Sequence, residues 1–266
     1  MQKRGQLTVF LILGVLILGL VFALSYFISS SSSASVETSL VQLDALTNKP
    51  LQEFMESCLD KSAREGLVLL GAQGGVFDPE FAQKFQQIPY FEYNRTIYYL
   101  EGKAVMPSEK EMEQQLAGYI EHDLPACFSE FEYFQQQGVH VEKGSEESLV
   151  VKANIGNEKV IINANYPITL VTESSQMSQD TFQVVIPIRL GDIVEAAEQV
   201  LEWQQRDGSR VCLTCIHDLS LESGLDISLH PHAEQANILL FSFDDPHETA
   251  DNELLSYQFV FAGAYK

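Results

Sequence analysis

The pattern of hydrophobic and polar positions divides the chain into three parts, and the first is a long apolar run. No charged residue occurs from Leu7 to Ile28. As a helix this run would be roughly 33 Å long, about the thickness of the hydrocarbon core of a membrane. The run predicts a transmembrane helix over residues 6–28, preceded by a leader over residues 1–5. Residues 29–36 are rich in serine and predict either a linker or a continuation of the helix.

The second part, residues 37–138, shows mainly helical spacing of its apolar residues. Leu51, Phe54 and Cys58 begin one such stripe. Ser108 and Glu111 have the spacing of a capping box, which predicts a helix that starts there. These residues predict a mainly helical outer subdomain.

The third part, residues 139–266, changes to the alternating pattern of β-strands. The clearest strand is predicted over Thr181–Leu190, and Asp192 is predicted as the N-cap of a helix after it. The predicted strands that follow are Arg210–Cys215, Leu225–Leu229, Ile238–Phe243 and Ser256–Phe261. The predicted fold class is therefore α+β, with an N-terminal transmembrane helix, a helical subdomain and an antiparallel β-sheet subdomain that carries one packed helix. We expect the two subdomains to pack together, because no linker separates them.

The distribution of charge predicts the orientation of the apolar run. Lys3 and Arg4 directly precede it, and the first charge after it is Glu37. Positive residues favour the cytoplasmic side, so we expect a single-pass protein of the cell membrane with a cytoplasmic N-terminus and an extracellular C-terminal region. The chain has 37 acidic and 16 basic residues, for a net charge of −21. Such a surface repels nucleic acid, which excludes nucleic acid as a partner.

The residues around the start of the run form a more specific motif. Lys3–Thr8 and the apolar residues Val9–Gly14 resemble the class III signal of archaeal type IV pilin-like surface proteins. The resemblance implies that a prepilin-type peptidase cuts between Gly5 and Gln6, and that the apolar helix then embeds in the lipid bilayer or bundles with like subunits. Major pilins usually carry Glu at the fifth mature position. Phe10 stands there in this chain, so the resemblance implies a minor subunit or an anchored surface protein.

The body of the chain is also similar to a group of archaeal membrane-anchored surface proteins of unknown function. This likeness implies exposure at the surface and a shared fold, and it implies no activity. The segments that carry it are Glu56–Leu59, Gly71–Gly75, Met106–Ser108 and Tyr166–Ile168.

Four cysteines and one glycosylation sequon fit an extracellular location. Four cysteines allow three pairings. We favour Cys58 with Cys127, because each lies on the inward face of a predicted helix, and Cys212 with Cys215. The sequon predicts glycosylation at Asn94.

Candidate chemistry concentrates near the C-terminal end. Cys212 and Cys215 form a CxxC motif, which in oxidoreductases opens a helix after a strand, whereas here it lies in a predicted strand. Together with His217 the same cysteines have the chemistry of zinc ligands. Asp244 and His247 belong to a second set of candidate metal ligands, but Asp and Pro are turn formers and the segment favours a solvated turn over a metal site. The fourth ligand of a zinc site at Cys212, Cys215 and His217 would come from His230, His232 or a distant cysteine.

The motifs of common enzymes are absent. The chain contains no GxSxG, HExxH, P-loop or dinucleotide fingerprint, so we expect no cofactor and no enzymatic activity. The sequence predicts a membrane-anchored surface protein, a pilin-like minor subunit or an adhesion or scaffold component, that acts by assembly and binding. The alternative is an envelope-anchored enzyme or metal-binding factor that uses the CxxC motif and the turn at Asp244–His247.

Overall fold

A computed structural model of the chain describes residues 38–127, 131–136, 138–173, 175–207, 210–248 and 254–265. The chain divides into two compact units, Met1–Leu51 and Gln52–Lys266. Of the first unit, the structure describes the residues from Thr38 onward, which form the start of a helix. The sheets and the other helices belong to the second unit.

The helices and strands occur in separate runs along the chain, which is typical of an α+β protein. The helices are α1 (Thr38–Ala72), α2 (Pro79–Ala82), α3 (Glu109–Cys127), α4 (Glu132–Gln136), α5 (Leu190–Asp207) and α6 (Leu213–Ser223). The first strands are β1 (Gln87–Tyr90), β2 (Tyr93–Leu100), β3 (Lys103–Ala104), β4 (His140–Lys143) and β5 (Val150–Ile155). The later strands are β6 (Val160–Val171), β7 (Gln176–Ile186), β8 (Asp226–Pro231), β9 (Ile238–Glu248) and β10 (Leu254–Ala264).

The predicted membrane-spanning architecture is not found in the described residues. None of their helices is long and apolar enough to cross a membrane. The longest, α1, carries charged residues such as Asp60, Lys61 and Arg64, which are costly to place in hydrocarbon. The leader, the predicted transmembrane helix over 6–28 and the serine-rich segment lie outside the described residues. For the part of the chain that the structure describes, both the fold class with a transmembrane helix and the single-pass membrane location are therefore wrong.

One six-stranded sheet joins residues from both predicted subdomains. Its order is β1-β2-β10-β9-β8, with β3 paired to β2. The strands β10 and β2 run parallel, so the prediction of a purely antiparallel sheet is also wrong. Three strands lie within 87–104, inside the part that was predicted to be mainly helical. This aromatic-rich segment lacks the regular alternation that would have identified β1 and β3, and of β2 only a short strand over Tyr98–Leu100 was predicted.

Aromatic residues fill the core on one face of this sheet. Phe261 stacks on Tyr98 with ring centroids 4.3 Å apart and on Phe241 at 5.0 Å. The opposite face is also buried, by aliphatic residues that include Leu240 and Val260. Alternation along β9 and β10 thus covers both faces of the sheet.

The end of α1 is fastened to β2 and β10. Arg95 and Thr96 donate side-chain hydrogen bonds to the carbonyls of Ala72 and Gln73, which no longer have partners within the helix. Gly71 lies so close to β10 that a Cβ atom there would meet the carbonyl oxygen of Gln258 and the hydroxyl of Tyr257. The close contact of helix and sheet therefore depends on glycine at position 71.

The predicted capping box at the start of α3 is confirmed. The backbone N–H of Glu111 donates to Ser108 Oγ at 3.3 Å, and the N–H of Ser108 donates to Glu111 Oε2 at 3.0 Å. These bonds, together with Lys84, hold the pKa of Glu111 below its ordinary value. Pro125 lies within α3, which ends two residues later at Cys127.

A four-stranded sheet is built on β6. The strand β7 pairs with one side of β6 along its length, and β5 and β4 pair with successive parts of the other side. The strand predicted over Thr181–Leu190 begins and ends earlier, at Gln176 and Ile186. Residues Leu190 to Asp207 instead form α5, so Asp192 lies inside this helix and is not its N-cap.

Candidate functional site

The CxxC motif lies at the start of α6, where the sequence predicted a strand over Arg210–Cys215. That prediction is wrong, because the helix begins at Leu213. Cys212 is its N-cap, and the backbone N–H of Cys215 donates to Cys212 Sγ at 3.3 Å. Gly224, in the left-handed conformation with φ of 67°, ends the helix. The motif therefore occupies a helix N-terminus, the context that lowers thiol pKa values.

The surroundings of this motif are open. Cys212 and Cys215 are both half-buried, and Thr214 between them is exposed. Leu213 is 66% exposed and Leu221 is 71% exposed. With His217, also exposed, these leucines recur every fourth residue and share one side of α6.

The cysteines form the two favoured disulfides, Cys58–Cys127 and Cys212–Cys215, and none is free. The first bridge links α1 to α3, and Cys58 is only 6% exposed. Thiolates are the sulfur ligands of metal ions, so in this oxidised state Cys212 and Cys215 do not supply a zinc site.

The predicted turn at Asp244–His247 is extended strand, because these residues continue β9. Asp245 is fully buried and accepts hydrogen bonds from Arg189: Nη2 to Oδ1 at 2.7 Å, Nε to Oδ1 at 2.9 Å and the backbone N to Oδ2 at 3.1 Å. Asp244 accepts from Ser242 and Gln258. Its neighbour Asp245 thus fastens Arg189 to the sheet, which the sequence did not indicate because the two residues are far apart in the chain.

The histidines near these residues are dispersed. His232 is buried, and its Nδ1 accepts the N–H of Glu234 at 3.2 Å. Its Nε2, 3.0 Å from the carbonyl oxygen of Pro89, therefore donates to that oxygen. His230 lies on β8, within hydrogen-bonding distance of Ser228. In the part of the chain that the structure describes, no group of three or more candidate ligands could hold a metal ion. The side chain of His247 lies outside that part.

The remaining predicted sites differ in accessibility. Asn94 is exposed on β2, while Thr96 of the same sequon is fully buried and its hydroxyl bonds to Gln73. The cleavage site at Gly5 and Gln6 lies outside the described residues. Glycosylation at Asn94 and processing at Gly5 stay predictions.

One outer edge of the four-stranded sheet is protected by a helix. Along β5, the backbone N–H of Val151 donates to Glu121 Oε1 at 2.8 Å, and that of Ile155 donates to Glu113 Oε1 at 2.9 Å. Both carboxylates belong to α3. These bonds satisfy donors that would otherwise be open to another strand.

The opposite edge, β7, carries no comparable cover among the described residues. The strand is 11 residues long. In the described part of the chain, it packs extensively only against β6. Asp180 is its single charged residue, and it contains no Pro or Lys. Val185 on this strand is 47% exposed. The sequence signal for this edge was a single charge and no proline over 176–186, but the strand was predicted to begin only at Thr181, so its first five residues were missed.

Comparison with known proteins adds no functional label to this geometry. No protein-family model matches the chain, and a search of the curated proteins finds no significant relative. The site assignments therefore depend on the chemistry of the residues themselves.

Proposed function

We propose that this protein is a non-catalytic structural or binding component that acts by assembly. Its edge strand β7 pairs with β7 of a second copy and extends the four-stranded sheet across the two molecules. The observation that supports this proposal is the contrast between β7 and the other described sheet edges. Proteins normally blunt such edges because a free strand is a template for pairing.

Apart from the two-residue strand β3, each of the other described outer strands carries a protective feature. Pro89 interrupts the donors of β1, and Pro231 ends β8. The strand β5 is covered by the carboxylates of Glu113 and Glu121, and β4 is short and charged. The strand β7 is long and has only Asp180 to oppose pairing.

Self-pairing suits the pattern of residues along β7. In an antiparallel pair, residues directly opposite each other lie on the same face of the sheet. A pair centred on Gln183 places Phe182 opposite Val184 of the other copy, which continues the face that both residues bury in the monomer. Asp180 then faces Ile186, so no like charges are opposed. The interface is isologous, as in most closed dimers.

The test is the association state of the full chain, measured by analytical ultracentrifugation over a range of concentrations. We expect a dimer that Val185→Lys weakens by at least about tenfold in Kd, because an edge lysine disfavours strand pairing. Val150→Lys is the matched control, since Val150 is 48% exposed but lies on the covered strand β5. It should leave the dimer unchanged.

Two results would contradict the proposal. A chain that stays monomeric at all concentrations has no β7 interface. Association that both lysine variants leave intact would instead assign assembly to another part of the chain, such as the apolar run Leu7–Ile28.

A further inference from the structure

The two disulfides of the chain differ in how much they can stabilise the fold. Cys58–Cys127 joins residues 69 positions apart, whereas Cys212–Cys215 joins residues only 3 apart. A bridge constrains the unfolded chain more when it closes a longer loop. The short bridge therefore contributes less as a structural brace, and its presence calls for another explanation.

We propose that Cys212 and Cys215 form a redox-active site that transfers its disulfide to a cysteine-bearing polypeptide with apolar residues beside the cysteine. This inference is independent of pairing through β7. It depends on three features of α6, which are the position of Cys212 at the N-terminus, the exposure of the motif and the adjacent leucines.

The first feature favours the reduced form of the site. The N–H of Cys215 points at Cys212 Sγ, and the first turn of a helix carries the positive end of its dipole. Both stabilise a thiolate at Cys212 once the bridge is opened. A site whose reduced form is stabilised gives up its disulfide more readily, so this one acts as an oxidant toward thiols.

The second feature allows a thiol to reach the bridge. A substrate thiolate attacks the half-buried Cys212 Sγ, which forms a mixed disulfide and releases Cys215 as a thiolate that takes up a proton. A second substrate thiol, deprotonated as it reacts, then attacks the substrate sulfur of the mixed disulfide. This step releases Cys212 as a thiolate. The substrate dithiol has lost two electrons to become a disulfide, and the CxxC pair has gained them.

The third feature selects the substrate class. Leu213 lies next to Cys212 in the chain and is 66% exposed, and Leu221 lies about two turns further along the same side of α6 and is 71% exposed. An exposed apolar strip that begins beside the bridge favours contact with the apolar residues of an extended or unfolded chain. A small hydrophilic thiol such as glutathione gains nothing from this surface.

The first experiment uses the oxidised wild-type chain and requires no variant. The chain is equilibrated at pH 7 with graded ratios of reduced to oxidised glutathione, quenched with a maleimide, and its modified cysteines are located by mass spectrometry. We expect Cys212 and Cys215 to be reduced at ratios at which Cys58–Cys127 stays intact. If the two bridges open together, or Cys58–Cys127 opens first, the proposal is overturned.

The second experiment tests the nucleophile and the leucines. In Cys215→Ser, the Cys212 thiolate should attack a synthetic peptide disulfide flanked by leucines and remain trapped as a mixed disulfide. Cys127→Ser is the matched control, because it leaves the buried Cys58, which should react at least about tenfold more slowly given its burial and lack of a stabilised thiolate.

The leucines are tested in the Cys215→Ser background. Leu213→Ser combined with Leu221→Ser should slow trapping of the apolar peptide several-fold and leave the reaction with oxidised glutathione unchanged. Equal slowing with both reagents would refute the assignment of an apolar polypeptide as the substrate. Reaction of Cys212 no faster than that of Cys58 would refute the redox site itself.

Discussion

The ion pair of Arg189 and Asp245 is the contact whose loss should damage the fold most clearly. The carboxylate is fully buried and accepts three hydrogen bonds from Arg189, while the guanidinium also donates to the carbonyls of Ser223 and Gly224 at the end of α6. One arginine thus connects β9, the segment before α5 and the end of α6. We expect Asp245→Ala to remove the connection between Arg189 and β9.

The size of the effect follows from what remains after the substitution. Removing one partner of a buried pair typically costs about 3–5 kcal/mol, because the other charge is left uncompensated. Arg189 keeps its two carbonyl partners, and its side chain is 21% exposed to water. We therefore expect the low end of the range, about 3 kcal/mol of unfolding free energy.

Urea unfolding followed by circular dichroism measures this loss. With a slope of about 2–3 kcal/mol per molar urea, the midpoint should fall by about 1–1.5 M. Asp244→Ala is the matched control, since Asp244 is half-buried and has only neutral partners, and it should cost about 1 kcal/mol or less. Adding Arg189→Met to Asp245→Ala should restore part of the stability, because it removes the unpaired charge. Equal midpoints for the two alanine variants would refute this reasoning.

Further predictions concern the close packing of α1, the capping box and a buried tyrosine. Gly71→Ala should lower the free energy of unfolding by more than about 2 kcal/mol, because its Cβ would overlap β10. Gly118→Ala, with open space around it in α3, should raise the free energy of unfolding by about 0.5–1 kcal/mol. Thermal unfolding of the two variants would reveal this difference in sign. Ser108→Ala should cost about 1 kcal/mol through loss of the cap on α3, and an unchanged urea midpoint would contradict that role. Burial raises the pKa of Tyr257 above its ordinary value, so the folded state favours the protonated phenol. The contribution of Tyr257 to stability should therefore be fully present below pH about 10 and be lost as the pH rises above it. The alkaline loss of stability should be less steep in Tyr257→Phe. Identical alkaline unfolding curves for the two proteins would exclude this contribution. At pH 7 the same variant should be at least as stable as the parent, because the buried hydroxyl has no hydrogen-bond partner among the described residues.

Local signals in the sequence predicted those features that neighbouring residues decide. The capping box needs only Ser108 and Glu111, three positions apart, and the paired alternation of β9 and β10 places one set of side chains on each face of a sheet. Such features form from short-range geometry. They can be recognised without knowing the rest of the fold.

Features that depend on distant residues were missed for the same physical reason. Nothing around Arg189 indicates that its partner is Asp245, and nothing around Val151 indicates that Glu121 will satisfy its N–H. The parallel pairing of β2 with β10 likewise joins segments far apart in the chain. These contacts arise only when helices and sheets pack. The sequence prediction used local patterns alone and therefore placed Asp245 in a solvated turn.

The CxxC motif shows how one local error concealed a functional feature. The β-branched residues Val211 and Thr214 favour an extended segment, in which a CxxC motif lacks the helix N-terminus that lowers a thiol pKa. In the structure the sulfur of Cys212 takes the place of a hydroxyl or carboxylate at the helix N-cap and accepts the N–H of Cys215. Cysteine is not a common capping residue, so capping rules based on Ser, Thr, Asp and Asn do not find this start. The cap that those rules do not recognise is therefore the same contact that would stabilise a Cys212 thiolate. A CxxC motif should be considered as a possible helix start even where no conventional capping residue precedes it.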